Sequence, residues 1–158
     1  MNGSDLTSSQ VNVKNKLTDA VGLACSYDAN GNMTNRVYDS VGPKSYFYVY
    51  DDENQLIELR TDTSATPTGS RWRTTWLYDG LGRARLRKDY YWSGTWTQNG
   101  ETRYIYDGMR VIQERDSSNT PAVVYTRGND LSGSLEGAGG IGGLLARSHG
   151  YSSGTWST

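Results

Sequence analysis

A short phrase recurs along this chain of 158 residues: an aromatic residue, an Asp, two variable residues and then a Gly or Asn. Copies begin at Tyr27, Tyr38, Tyr50 and Tyr78, and an altered copy begins at Tyr106. The Asp stands where a type I β-turn places a side-chain acceptor for nearby backbone N–H groups, and the Gly stands where the chain needs positive φ. Each copy therefore predicts a hairpin turn with a built-in bulge.

The predicted repeat residues are the aromatic ring, the Asp and the left-handed residue of each copy. In the altered copy Gly follows Asp at once, which predicts a tight two-residue turn at Asp107-Gly108. Asp39–Gly42 fits the full template, and Asn12–Asn15 is a degenerate copy of it. The repeat residues are Tyr27, Asp28 and Gly31; Tyr50 and Asp51, with Asn54 in place of Gly; Tyr78, Asp79 and Gly82; and Tyr106, Asp107 and Gly108.

The residues between the turns alternate in the way that half-buried strands do. Trp72, Trp76 and Tyr78 fall on one face of their strand, while Arg71 and Arg73 fall on the other. No stretch keeps a helical period, so the sequence predicts an all-β fold, an antiparallel meander of hairpins. The predicted strands are 21–27, 32–38, 44–50, 55–61, 71–78, 83–92, 101–106, 109–115 and 122–127.

Successive turns of a meander lie at opposite ends of its strands. The turns at 12–15, 28–31, 51–54, 79–82 and 107–108 therefore share one edge, here called the turn rim. The other edge, the loop rim, is predicted to carry longer connections at 62–70, 93–100 and 116–121. The rings at 27, 50, 78 and 106 would follow one another along the turn rim, about 10 Å apart. Each copy of the phrase thus extends the sheet by one hairpin.

Composition supports a thin β structure and excludes several partners. The aromatic residues are 12 Tyr and 5 Trp with a single Phe, and such rings bury well but keep a polar atom that needs a partner. A net charge of −1 with mixed signs gives no field that would attract nucleic acid or an anionic membrane. No apolar run is long enough to span a membrane, and Met1–Asp5 does not begin a signal peptide. The single Cys25 allows no internal disulfide.

The spaced phrases, especially YDANGNMTN from Tyr27 and YDDENQL from Tyr50, resemble the YD repeats of Rhs proteins, of the C component of insecticidal toxin complexes and of teneurins. Residues 127–146 resemble the segment just upstream of the Rhs-associated core in bacterial members. The resemblance covers most of the chain from about residue 11 to residue 146. The core motif that follows in that family, with its self-cleaving aspartates, does not occur in the sequence.

The resemblance implies a non-enzymatic structural module, part of a β shell that encloses a C-terminal toxin or effector, or part of a bacterial surface polypeptide. It implies neighbouring repeats and an enclosed polypeptide as partners, and a secreted or cell-surface location in a bacterium. The expected organisation is a linking or disordered segment at 1–10, a repeat array at 11–127, and a Gly-rich segment at 128–158 in which a further hairpin begins. The chain is expected to be a fragment of a longer one.

A glycan-binding or cell-surface-binding β module is the alternative function. Flat rings on β scaffolds often stack on ligands, and Tyr91, Trp92 and Trp96 are the candidate binding residues. Against this, Trp92 and Trp96 can face each other across a hairpin as a cross-strand pair. We expect the pair.

No catalytic, cofactor-binding or metal-binding residue is predicted. Cys25 and His149 could form a thiol nucleophile and base, but Cys25 lies on an apolar alternation that favours a buried, inert thiol. The glycines 137, 139 and 142 match a dinucleotide fingerprint without its βαβ context. Asp51-Asp52-Glu53 could hold calcium but lacks the spaced ligands of a dedicated loop, which favours solvated turn carboxylates.

The edges of an open meander leave backbone N–H and C=O groups unpaired. The uncharged segment Ala122–Tyr125 belongs to the last predicted strand, so edge-to-edge self-association is expected there.

Overall fold

A computed structural model describes residues 10–11, 16–20, 23–38, 45–64, 66–129, 132–134, 143–152 and 154–157. The strands of these residues lie in chain order in one sheet, each beside its sequence neighbours. They are β1 (Gln10–Val11), β2 (Leu17–Ala20), β3 (Leu23–Tyr27), β4 (Met33–Tyr38), β5 (Ser45–Tyr50), β6 (Leu56–Thr61), β7 (Trp72–Tyr78), β8 (Ala84–Trp92), β9 (Trp96–Asp107), β10 (Arg110–Arg115), β11 (Pro121–Arg127), β12 (Leu144–Ser152) and β13 (Thr155–Ser157).

The predicted all-β antiparallel meander is confirmed. The only helical element among the described residues is a single 3-10 turn at Thr68–Ser70. The register of β6 and β7 shows which side chains lie beside each other on a face of the sheet. Glu58 lies opposite Thr75, Leu59 opposite Thr74 and Arg60 opposite Arg73. Residues two positions apart on a strand point to the same face of the sheet, and so do residues directly opposite each other on neighbouring strands. Arg73 and Thr75 therefore share a face with Glu58 and Arg60.

The chain divides into two compact units. The first consists of residues 1–76 and 89–99, and the second of residues 77–88 and 100–158. Strands β1–β6 belong to the first unit and β10–β13 to the second, while the chain passes between the units within β7, β8 and β9.

Few described side chains are fully buried. The buried apolar ones are Cys25 in the first unit and Val123 in the second. Thr61, which is completely covered, both donates to the Trp72 carbonyl and accepts from the Trp72 N–H. Most other strand residues are half-buried. Successive residues of most strands are half-buried, so burial is spread over both faces of the sheet, in keeping with the thin β structure that the composition predicts.

One predicted connection at the loop rim is wrong, and another is one residue too long. The connection at 93–100 shrinks to Ser93–Thr95, because β9 starts at Trp96 and runs for 12 residues. Gln98 and Asn99 are polar and exposed, as loop residues usually are, but they lie within β9. At 116–121 the connection is a tight turn, and β11 begins at Pro121.

The predicted edge at Ala122–Tyr125 is also wrong, because β11 pairs with β10 on one side and with β12 on the other. Strands β1, β2, β12 and β13 were not predicted as strands. The expected hairpin in the C-terminal segment is formed by β12 and β13, where Ser152 pairs with Thr155. The expected turns at 12–15 and 39–42 lie outside the described residues.

Candidate functional site

The Asp of each complete phrase holds the turn that follows it. Asp28 Oδ1 accepts hydrogen bonds from the backbone N–H groups of Gly31 at 2.7 Å and Asn32 at 2.8 Å, and Gly31 has φ of 99°. Partial burial opposes ionisation of Asp28, but hydrogen bonds from Asn32, Gly31 and Asn30 outweigh it and lower the pKa of this carboxyl. The carboxylate therefore replaces water as the acceptor for the tight backbone of the turn.

The same contacts recur in the next two copies. Asp51 Oδ1 accepts from the N–H of Gln55 at 2.8 Å, and Asp79 Oδ1 accepts from the N–H of Arg83 at 3.2 Å. Asn54 has φ of 61° and Gly82 has φ of 72°. The left-handed backbone predicted at these positions is present, and Asn takes the place of Gly because it tolerates that region best among the other residues.

A bulge follows the turn at the same place in successive hairpins. In the β3–β4 pair Ser26 lies opposite Asn35 but Tyr27 lies opposite Met33, so β4 carries one extra residue. In the β5–β6 pair Val49 lies opposite Glu58 but Tyr50 lies opposite Leu56. The phrase therefore sets both the turn and the register of the strand that leaves it, as the sequence predicted.

One further copy was missed. Asp116-Ser117-Ser118-Asn119 forms the same turn: Asp116 Oδ1 accepts from the N–H of Thr120 at 2.8 Å, and Asn119 has φ of 63°. A bulge again follows, between Glu114 and Arg115. The sequence does contain the Asp and, three residues later, the Asn that indicate this turn. It lacks the aromatic residue that precedes the Asp in the other copies. This copy lies at the loop rim, so the turn chemistry is independent of the ring.

The turn after Tyr106 is displaced by one residue from the prediction. Asp107 pairs with Arg110, so the two loop residues are Gly108 and Met109. Gly108 has φ of 59°, and Met109 does not have positive φ. This pattern is a type II′ turn, which takes Gly at its first central position.

Two rings of the phrase fasten one hairpin to the one before it. The Tyr106 hydroxyl donates to the Ala84 carbonyl at 2.9 Å, and the Tyr27 hydroxyl donates to the Leu17 carbonyl at 2.9 Å. Arg83 lies over the Tyr106 ring at 5.1 Å, and Lys16 lies over the Tyr27 ring at 5.2 Å. In each case the carbonyl belongs to the residue that follows the cation. We call this set of contacts the tyrosine latch.

The other two rings of the phrase occupy matching positions at the ends of β5 and β7. Burial raises the pKa of the Tyr50 hydroxyl, and the nearby negative charge of Asp28 raises it further. Tyr50 therefore lies beside the turn of the preceding hairpin, as Tyr106 does. Tyr78 is half-buried at the end of β7.

Side chains also join adjacent turns along the turn rim. In the first unit Asn30 and Asn32 both donate to Asn54 Oδ1, at 3.0 Å and 2.8 Å. In the second unit Arg83 donates to the Gly108 carbonyl at 2.5 Å. The placement of these turns on a common edge, predicted from counting strands, therefore holds within each unit.

Asp79 is the most perturbed acid of these turns. A side-chain hydrogen bond from Arg83 at 2.9 Å lowers the pKa of Asp79 to about 2, helped by backbone N–H groups and opposed by partial burial. Arg85 lies 3.8 Å from the same carboxylate oxygen. Asp79 therefore contacts both Arg83 and Arg85, the two arginines that lie over the Tyr106 ring.

The hairpin at Trp92–Trp96, the second candidate site, is closed by a ring pair. The ring centroids are 5.1 Å apart and the planes meet at 74°, an edge-to-face contact. Ser93 N–H donates to the Thr95 carbonyl, and Gly94 has φ of 94°. Both indoles are half-buried. The expected cross-strand pair is present, and the third candidate ring, Tyr91, is the exposed one at 44 %.

The thiol and base candidates belong to different units. Cys25 is a buried free thiol on β3, and His149 is exposed on β12. Asp51 is occupied by its own turn, while Asp52 and Glu53 are exposed. Among the residues that the structure describes, no group of three or more His, Cys, Asp or Glu side chains could hold a metal ion. The glycines 137, 139 and 142 lie outside the described residues.

Comparison with known protein families and with curated protein sequences finds no match to this chain. In the described part of the chain no helix has the length and apolarity needed to cross a membrane.

Proposed function

We propose that this chain is a non-enzymatic structural repeat module of the YD-repeat type. The observations that support it best are three kinds of contact that each recur along the chain: Asp-held turns, bulges behind them, and latches from a Tyr hydroxyl to the preceding hairpin. In two places the earlier hairpin supplies the carbonyl that binds the Tyr hydroxyl of the next one. A chain built in this way gains area by adding copies, and the residues that recur are used to hold the sheet together.

The wider role we propose is part of a shell that encloses a C-terminal toxin or effector, or part of a bacterial surface polypeptide. This role rests on the resemblance of the Tyr-Asp phrases to YD repeats. A sheet extended by repeated hairpins is suited to forming the side of a shell, because its area grows without a separate hydrophobic core for each added hairpin.

Protease protection tests the shell role. The complete polypeptide whose reading frame contains this sequence would be treated with protease, and the survival of the part that follows residue 158 would be followed by mass spectrometry. We expect that part to survive longer than the same part expressed alone. Equal digestion rates would contradict enclosure.

Glycan binding is the second candidate, and the exposure of Tyr91 beside the tryptophan hairpin favours it. In the proposed structural role, Trp92→Ala lowers stability and no glycan binds. A glycan-array signal that disappears in Tyr91→Ala or Trp96→Ala, with the circular dichroism spectrum intact, would favour binding over structure.

A further inference from the structure

The first unit carries a group of arginines whose aromatic neighbours are all on one face of the sheet. Arg60 and Arg73 lie directly opposite each other on β6 and β7, and Arg71 lies two residues before Arg73 on the same face. Arg60 lies over the Phe47 ring at 4.7 Å and Arg71 over the Trp92 ring at 5.9 Å. We use the name arginine platform for Arg60, Arg71 and Arg73 together with the rings that they contact, which are Phe47, Trp92, Tyr90 and Trp96.

Arg73 is at the centre of the platform and is poorly supplied with acceptors. Its guanidinium lies 4.2 Å from the centroid of Tyr90 and 5.4 Å from that of Trp96. The Nε atom is buried and has no hydrogen-bond partner among the described residues. The Glu58 carboxylate is 3.8 Å from Nη1, too far for a hydrogen bond. The Nε donor of an arginine that lies against two rings is therefore left without an acceptor among the described residues.

Charge on this face is also unbalanced. Among the described residues Glu58 is shared between Arg60 and Arg73, and its direct hydrogen bond, at 3.0 Å, goes to Arg60. Arg71 donates instead to the Thr66 carbonyl at 2.6 Å. Asp62, next along from β6, accepts hydrogen bonds from Ser64. Two like charges directly opposite on neighbouring strands destabilise a sheet, so an added anion would be favoured here.

We propose that the arginine platform binds carboxylate groups of an acidic peptide segment, with Arg73 as the central contact. A planar guanidinium stacked on aromatic rings keeps its N–H edge pre-organised for the two oxygens of a carboxylate. Arg73 already covers a face of Tyr90 and of Trp96, and Trp92 packs edge-to-face on Trp96, so these rings offer little stacking surface to a sugar. The charge, and not the rings, is the recognition element.

Titration of the purified chain with hexaglutamate tests the proposal, because Trp92 and Trp96 lie at the platform and their fluorescence should change on binding. Binding should weaken as salt rises, since exposed charges are screened. Arg73→Gln should weaken it by about tenfold or more, and Arg73→Lys by less, because Lys keeps the charge but loses the fork. Arg115→Gln removes the same charge from β10 in the second unit and should leave the affinity unchanged.

Glu58→Gln should increase the affinity for hexaglutamate, which would not be expected if Arg73 had only a structural role. It removes the competing carboxylate, so hexaglutamate should bind several-fold tighter. Circular dichroism would establish that each variant is folded. The proposal fails if hexaglutamate does not bind, if Arg73→Gln and Arg115→Gln weaken binding equally, or if polygalacturonate binds and hexaglutamate does not, since a uronic-acid glycan would then be the partner.

Discussion

At the scale of single residues, the turns depend on a carboxylate and a left-handed backbone. Asp28, Asp51, Asp79 and Asp116 each accept N–H hydrogen bonds from their own turns. The fourth position of each turn is Gly or Asn with φ between 61° and 99°. Both features are local, because five consecutive residues contain the donors, the acceptor and the backbone that they constrain. This is why they could be predicted from sequence.

Gly82→Val should lower the free energy of unfolding by about 1 kcal/mol or more, since a β-branched residue is strained at φ of 72°. Gly69→Val is the matched control, because Gly69 is exposed in the Thr68–Ser70 turn, has no positive φ, and an added Cβ there meets nothing within 4 Å. Denaturant unfolding of both variants measures the difference. Equal midpoints would contradict the assigned role of Gly82.

Asp79 should make stability depend on pH in the acid range. Its pKa is about 2 in the folded chain and near 4 when unfolded, so folding favours the ionised form. The stabilisation is therefore fully present above about pH 4 and is lost as the pH falls through about 2. Urea unfolding between these values should show a shallower pH dependence in Asp79→Asn than in the original chain. An unchanged slope in the variant would rule out this contribution.

At the scale of elements, the hairpins are joined by contacts that connect residues far apart in sequence. The Tyr106 hydroxyl reaches a carbonyl 22 positions earlier in the chain, whereas the Tyr27 hydroxyl reaches back 10 positions. The sequence indicated that the rings would lie along one rim, but it did not indicate their acceptors. Those acceptors depend on the register of two neighbouring hairpins, which the bulges shift by one residue.

Tyr106→Phe removes the latch hydroxyl and leaves the Ala84 carbonyl without it, so the free energy of unfolding should fall by about 1 kcal/mol. The ring remains, and so do the contacts with Arg83 and Arg85. Tyr91→Phe makes the same chemical change on an exposed ring and should have almost no effect. Thermal melts of the two variants give the comparison, and equal shifts would show that the latch does not stabilise the sheet.

At the scale of the whole molecule, the 13 strands of the described residues lie in chain order, which leaves β1 and β13 with one neighbour each among those strands. Ala122–Tyr125 was mistaken for the edge because the residues that follow Arg127 show no strand alternation in the sequence until Leu144. Strand β12 is exposed along most of its length, and its apolar and polar residues alternate only weakly. It is recognised as a strand by its pairing with β11, because its sequence pattern alone does not indicate one.

Strand β13 should support self-association through its open edge. Sedimentation velocity over a range of concentrations should show species larger than the monomer, because unpaired N–H and C=O groups of an edge strand template further pairing. Ser157→Lys places a charge on this strand and should shift the distribution toward monomer, while Ser118→Lys, in an exposed turn, should not. A strictly monomeric chain at high concentration would contradict the expectation.

The sequence by itself determined the class of fold, the turns and the order of the hairpins, because alternation and Asp-Gly turn chemistry act over a few neighbouring residues. The tertiary structure decided which strands have neighbours on both sides, where Trp96 enters β9, and that Arg73 lies between Tyr90 and Trp96. The contacts of Arg73 bring together side chains from three successive strands, β7, β8 and β9. Their geometry depends on the summed register of several hairpins, and a displacement of one residue, as at Gly108-Met109, changes which groups meet.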